Sequence, residues 1–203
     1  MREVARDRRA GVRVVTMAAL LLALAAGATA AQVPYRGGLW ADVGIGPGRL
    51  RLTCTTCSAI AAAGGIELTV SVGGAPTHNV LLGVEGQLWT RTTGSLDQRV
   101  RSLLAIVQWY PWAEAGLFVR AGTGVVQGPV TPVASGAEPA TVQNTGIGLD
   151  LGAGWDFPVS RHFGVTIQAA THIAALGDLT VNGQPANDVI AYVTRIGMAV
   201  VLR

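Results

Sequence analysis

Apolar residues fall at every second position in eight separate stretches of this chain, and that period of two constrains the fold more than any other feature. In GLWADVGIG, Leu39, Ala41, Val43 and Ile45 share one face, while Trp40, Asp42, Gly44 and Gly46 share the other. IELTVSV sets Ile66, Leu68, Val70 and Val72 against Glu67, Thr69 and Ser71, and VLLGVEGQLW sets Val80, Leu82, Val84 and Leu88 against Gly83, Glu85 and Gln87. The second half repeats the pattern around Leu117–Val125, Ile147–Trp155, Phe163–Ala169 and Ile196–Leu202. VRSLLAIVQW follows it less regularly. Alternation over about ten residues is the signature of a strand that crosses a membrane or covers a core with one face.

A β-sandwich and a barrel both accept such strands. In a sandwich the polar faces meet water, yet the polar faces here contain no lysine, few serines and much glycine, of which the chain has 27. A narrow lumen accounts for that mixture, because a few long charged side chains fill the bore and glycine makes room for them. Half of the residues are hydrophobic and mean hydropathy is +0.42, values typical of membrane helices. Beyond residue 30, however, no apolar run approaches the roughly 20 residues that a spanning helix needs. Only helices and closed barrels satisfy their backbone in lipid, so the sequence predicts an all-β, eight-stranded antiparallel up-and-down transmembrane barrel. A soluble periplasmic barrel or sandwich is the alternative.

Residues 1–30 read as a cleavable signal peptide: Arg2, Arg6, Arg8, Arg9 and Arg13 precede VVTMAALLLALAAGA, and ATA at 28–30 offers a small-residue cleavage site. Arg8-Arg9 resembles a twin-arginine pair, but AGV displaces the hydrophobic residues that should follow it, and general secretion is favoured. Residues 31–203 are then the barrel domain. The first 30 residues hold five of the 15 basic residues and two of the 12 acids, so the remainder carries ten of each and no formal net charge. A nucleic-acid partner, which needs a clustered basic surface, is not expected.

With the N-terminus in the periplasm, long external loops should alternate with short periplasmic turns. PGRLRLTCTTCSAIAAAGG, TRTTGSLDQ, QGPVTPVASGAEPATVQ and AALGDLTVNGQPAND are the longer connections, and GGAPTHN, YPWAEAG and DFPVSRH the short ones. Trp109, Tyr110 and Trp112 crowd around Pro111 at one short turn, and Trp155 and Phe157 approach the next. These five residues are expected to form an aromatic girdle at the membrane interface. An ordinary core cluster at a hairpin end is the other reading of them.

LLGVEGQLW, QWYPW and LFVRAGTGVV on this pattern of strands resemble the small outer-membrane β-barrel domain family, the group that includes barrels similar to OmpA, OmpX and OmpW. The resemblance covers residues 31–203 and implies a fold and an outer-membrane location, with lipid and the barrel-assembly machinery as partners. Barrels of that group usually end in an aromatic residue, whereas this sequence ends AVVLR. Resemblance to the OmpA class is expected to stop at the membrane part.

Glu67, Glu85, Arg120, Asp150 and Arg195 fall on the inward faces of different strands. Buried charges are costly unless paired, so these five should form a salt-bridge network, either as a structural plug or as a gate for small ions. Cys54 and Cys57 form a CxxC in the first external loop, where a local disulfide is expected and free or intermolecular thiols and metal or redox chemistry are the alternatives. His172 with Asp150 or Asp156 suggests acid–base work, but no serine stands beside His172 in ATHIAAL. No catalytic residue, metal ligand or cofactor is therefore assigned, and the GxG motifs complete no nucleotide-binding loop. The function read from sequence is a structural or surface-interacting barrel with a plugged lumen and loops able to hold an extracellular ligand. The alternatives are a narrow OmpW-like, porin-like channel for small solutes, then a lipid-modifying enzyme.

Overall fold

The alternating segments become eight strands, and none is left with a free lateral edge along the wall. The computed structural model describes residues 37–53, 62–93, 96–112, 114–128, 145–181 and 184–203. They form β1 (Gly38–Thr53), β2 (Ala63–Thr77), β3 (Val80–Thr93), β4 (Leu96–Trp109), β5 (Leu117–Gln127), β6 (Thr145–Pro158), β7 (Phe163–Val181) and β8 (Gln184–Leu202). Each pairs antiparallel with its chain neighbours, and β8 returns to β1 to close the barrel. The expected signal peptide and the Cys54–Cys57 pair lie outside the described residues.

Closure fixes the tilt. Followed from Asp42 through Ser71, Glu85, Leu104, Gly124, Gly148, Ala174 and Ala191, the pairing returns to β1 at Leu52, ten residues beyond its start. A stagger of that size over eight strands tilts them by about 40° and leaves a bore that side chains fill.

The exterior is the apolar surface. Among the described residues 26 large hydrophobic side chains are exposed, including Val43, Val70, Leu103, Ile147 and Ile196, each more than half exposed. Soluble proteins rarely present contiguous apolar surface on that scale, whereas an outward apolar band is what a transmembrane barrel carries. The side chains between them in sequence point inward and are buried, as in β6, where Asp150 and Asp156 alternate with exposed Leu149, Leu151, Trp155 and Phe157.

The interior is layered. Leu50, Trp89, Val100, Val126, Ala174, Leu176, Val189, Ala191 and Val193 form an apolar cluster toward the end where β1 meets β2 and β5 meets β6, the loop end. Trp40, Leu81, Leu104, Ile106, Tyr110 and Phe118 form a second cluster toward the opposite, short-turn end. Glycine gives the large rings their room: a Cβ at Gly48 or Gly65 would stand 2.8 or 2.7 Å from the Trp89 ring, and one at Gly83 would stand 2.9 Å from Trp40. Trp40 and Trp89 thus lie across glycines in the wall.

Two expectations about the connections are corrected. Strands are 11 to 19 residues long, longer than the ten or so read from alternation. AALGDLTVNGQPAND is not a long loop: β7 and β8 stay paired to Val181 and Gln184, across register shifts near Gly177. TRTTGSLDQ likewise pairs to Thr93 and Leu96. The antiparallel ladder continues to satisfy backbone groups beyond the apolar band, where the side chains no longer need to alternate. Short turns at 78–79, 110–116 and 159–162 do share one end, as expected.

Candidate functional site

The charged layer of the lumen gathers polar and charged side chains from seven of the eight strands, all but β4, between the two apolar clusters. Glu67 on β2, Glu85 on β3, Arg120 on β5, Asp150 on β6 and Arg195 on β8 are all buried. Arg120 donates from Nη2 to Glu85 Oε1 at 2.6 Å and from Nη1 to Gln168 Oε1 at 3.0 Å, and its Nε stands 3.3 Å from Asp150 Oδ2. Arg195 donates from Nη1 to Glu67 Oε1 at 2.7 Å, while its Nη2 lies 3.3 Å from both Glu85 Oε1 and Asp150 Oδ2. Glu85 and Asp150 therefore bridge two guanidinium groups.

Three carboxylates face two guanidinium groups, so neutral donors complete the layer. Gln87 Nε2 donates to Glu85 Oε1 at 2.7 Å and reaches Asp150 Oδ1 at 3.4 Å. The Ser71 hydroxyl stands 2.9 Å from Glu85 Oε2 and 3.1 Å from Asp42 Oδ1, one proton for two acceptors. Glu67 Oε2 and the Nε atoms of both arginines have no hydrogen-bond partner. Among the five charged residues singled out in the sequence, every one takes part in an ion pair. Gln87, Gln168 and Ser71 were visible as inward-phase polar residues, but spacing alone did not mark them as partners.

A second polar group lies nearer the short-turn end. Tyr110 Oη donates to Asp156 Oδ2 at 2.5 Å and accepts from Gln108 Nε2 at 2.5 Å, and Thr166 donates to Asp156 Oδ1 at 2.5 Å. Arg203 also pairs with Asp156. Tyr110 thus leaves the expected outer girdle: it is fully buried, its ring 5.6 Å from that of Phe118. The chain turns out of β4 after Trp109, and the Tyr110 amide donates to Asn79 O across the turn, which directs the phenol into the bore. Trp109, Trp112, Trp155 and Phe157 are exposed on the outside at this end.

The barrel also brings together residues that sequence distance kept apart. Ser102 Oγ on β4 lies 3.4 Å from His172 Nε2, and His172 Nδ1 lies 3.9 Å from Asp150 Oδ1. The expectation that His172 lacks a serine neighbour is corrected, because β4 faces β7 across the bore. The order of groups is that of an acyl-transfer triad, but His172 Nδ1 makes no hydrogen bond and Asp150 is committed to two arginines. Ser102 and His172 are buried below the loop-end apolar cluster.

Two small cavities lie among the described lumen residues. One cavity of about 10 Å3 is lined by residues such as Asp42, Gln108, Asp156 and Gln168, and another of about 10 Å3 by Glu67, Thr69 and Arg195 near the β1–β8 seam. A volume of that size holds one water at most.

No protein-family model matches this chain, and no curated protein sequence matches it. Solved structures do. Neisserial surface protein A aligns with a TM-score of 0.56 at 13% identity, covering 81% of this chain and 96% of that one. Ail, the attachment invasion locus protein of Yersinia pestis, aligns with a TM-score of 0.52 at 16% identity, covering 82% of this chain and 99% of that one. Identity this low speaks to fold, and the fold, with its closed antiparallel order, apolar exterior and charged interior, is that of the small eight-stranded outer-membrane barrels.

Proposed function

We propose that this protein is delivered across the inner membrane by its N-terminal segment and spans the outer membrane as a sealed barrel. In that setting it serves as a rigid anchor that displays its loop end at the cell surface. The observation that carries this reading is the stacking of the lumen. A charged layer with interlocked hydrogen bonds lies between two apolar clusters that include fully buried Leu104, Tyr110, Phe118, Val126 and Ala174. Among the described residues the two apolar clusters interrupt the polar lining that water and ions would follow, and the exterior apolar band favours lipid as its surroundings.

A sealed bore moves the biological activity to the connections at the loop end, where residues 54–62 and 128–144 join the strands. Their partner is an extracellular ligand rather than nucleic acid, and no enzymatic step is assigned to the buried Ser102, His172 and Asp150. A narrow channel is the second reading. It is favoured by the unpaired Glu67 Oε2 and the unbonded Nε atoms of Arg120 and Arg195, groups that a rearranged layer could offer to ions.

Single-channel recording on the refolded protein in a planar bilayer separates the two, after heat-modifiable migration on a gel has verified insertion. A folded, silent barrel is the expected result. Stable discrete conductance that changes in Arg120→Ala or Glu85→Ala overturns the sealed reading in favour of the channel.

A further inference from the structure

Two glycines meet on the inner wall where β1 closes on β8. The pairing reaches Ile45↔Met198 and resumes at Gly48↔Arg195 in the same register, which sets Gly46 and Pro47 opposite Gly197 and Ile196 with no ladder pair between them. Pro47 has no amide N–H to give to that ladder. Gly46 and Gly197 hold inward positions, so neither strand sends a side chain into the bore at this level. The next strands on either side do, since Gly46 pairs with Glu67 on β2 and Gly197 pairs with Gln168 on β7.

The cavity of about 10 Å3 beside this seam has Glu67, Thr69 and Arg195 on its lumen side and outward Ile45, Ile196 and Met198 on its lipid side. A guest there finds polar partners only inward. Glu67, Thr69 and Arg195 are 2%, 4% and 4% exposed, and each brings one buried polar atom that no protein group meets: Glu67 Oε2, Thr69 Oγ1 and Arg195 Nε.

The chemistry of these three atoms selects the ligand. Glu67 Oε1 and Arg195 Nη1 already pair at 2.7 Å, so the two charges on the cavity wall are spent on each other. A cation placed there would face the guanidinium, and an anion would face the carboxylate. The unmet atoms are one acceptor, one donor and one hydroxyl that can do either. A small neutral molecule that both donates and accepts satisfies all three, and the volume admits a single water.

We propose that the β1–β8 seam binds one water molecule as a fixed part of the charged layer. It accepts from Arg195 Nε and donates to Glu67 Oε2 and Thr69 Oγ1. The site rests on the sealed reading above, and it gives to water two of the groups that a channel would offer to ions.

The test measures magnetisation transfer from water to the arginine Nε–H protons of protein carrying isotope-labelled arginine. The protein is refolded in phosphatidylcholine bicelles and verified by heat-modifiable migration, and the Arg195 signal is identified by its loss in Arg195→Lys. The parent should show a cross-peak from a long-lived water at Arg195 Nε–H. Gly197→Ala keeps every polar partner but adds a methyl group to the cavity lining, and its Cβ would stand 3.1 Å from Ile45 O and 3.7 Å from Gly46 Cα. It should abolish the cross-peak. Thr69→Val should weaken it and Thr69→Ser restore it, and these two variants carry the test if Gly197→Ala fails to fold. No cross-peak in the folded parent overturns the site, as does a cross-peak that Gly197→Ala and Thr69→Val leave unchanged. Movement of the Arg195 signal when choline replaces sodium in the buffer would mark a cation there and overturn it as well. Rapid exchange with bulk water at the Nε–H of both Arg120 and Arg195 contradicts the sealed reading itself, and the site falls with it.

Discussion

Arg120 on β5 and Glu85 on β3 meet across the bore at 2.6 Å with 2% and 0% of their side chains exposed. They lie on strands that flank β4 and do not pair with one another, so the contact ties two separate parts of the wall through the lumen. Removing one partner leaves the other charged and buried. Arg120→Met should therefore destabilise the barrel by about 3–5 kcal/mol, while Arg120→Met with Glu85→Met should recover much of the loss, because two apolar side chains need no partner. Urea unfolding in lipid vesicles checks this. Additive losses in the double variant would show that the two residues do not act as a pair.

Depth along one strand gives a second prediction. Val70 is 56% exposed at the middle of the outward apolar run of β2, and Ile66 lies toward the loop end, where Arg49 pairs with Gly64 two residues away. Val70→Arg should cost about 2–4 kcal/mol and Ile66→Arg about 0–1 kcal/mol, because the penalty for arginine falls from the midplane to the interface. Unfolding free energies of the two variants in the same bilayer decide it. Equal costs would contradict the placement of the apolar band.

The strand pattern was legible because the outward face is predominantly apolar along the middle of every strand, from Leu39 to Leu202. The inward face carries no such rule. Near both ends it too is apolar, as with Leu104 and Ile106 beside outward Leu103, Ala105 and Val107, and the alternation of VRSLLAIVQW fades for that reason. The same cause hid Val189, Ala191 and Val193, which plug the loop end. The inward phase of the five charged residues was readable from period two alone. Their pairing was not, since it depends on the stagger that sets which strands face each other. Tyr110 and Ser102 show the same limit: one left the girdle because of a turn, and the other met His172 because of barrel closure.

Five tryptophans occupy two environments, and this yields a spectroscopic prediction. Trp109 and Trp155 are 50% and 44% exposed on the outer wall near the short turns, whereas Trp40 and Trp89 are 4% and 1% exposed in the bore. In single-tryptophan variants, brominated phospholipids should quench Trp109 and Trp155 strongly and leave Trp40 and Trp89 nearly unaffected. Bromine close to the headgroup should quench Trp109 more than bromine at the chain end, because indole favours the interface. Strong quenching of Trp89 would mean that the wall is inverted.

Tyr110 Oη is held at 2.5 Å from both Asp156 Oδ2 and Gln108 Nε2. Tyr110→Phe keeps the ring on Phe118 but removes one donor from a buried carboxylate, a loss of about 1–3 kcal/mol by the cost of an unmet hydrogen bond. The effect should exceed that of Trp112→Phe, since Trp112 is 62% exposed in the same turn. Comparison of the two heat-modifiability midpoints tests whether the turn anchors the barrel from the inside or from the membrane face.

Ser102, His172 and Asp150 stand in the order of a nucleophile, a base and an orienting acid, at 3.4 and 3.9 Å. Catalysis by such a set needs the serine to reach a substrate carbonyl and the acid to hold the imidazole by a hydrogen bond. Here the acid is engaged by Arg120 and Arg195, and the serine is 9% exposed within the bore. A fluorophosphonate probe should therefore leave the folded protein unlabelled, and Ser102→Ala should change its stability without changing any hydrolysis of added ester. Stoichiometric labelling that Ser102→Ala abolishes would establish an active nucleophile inside the barrel and replace the sealed plug with an enzyme whose lumen opens to its substrate.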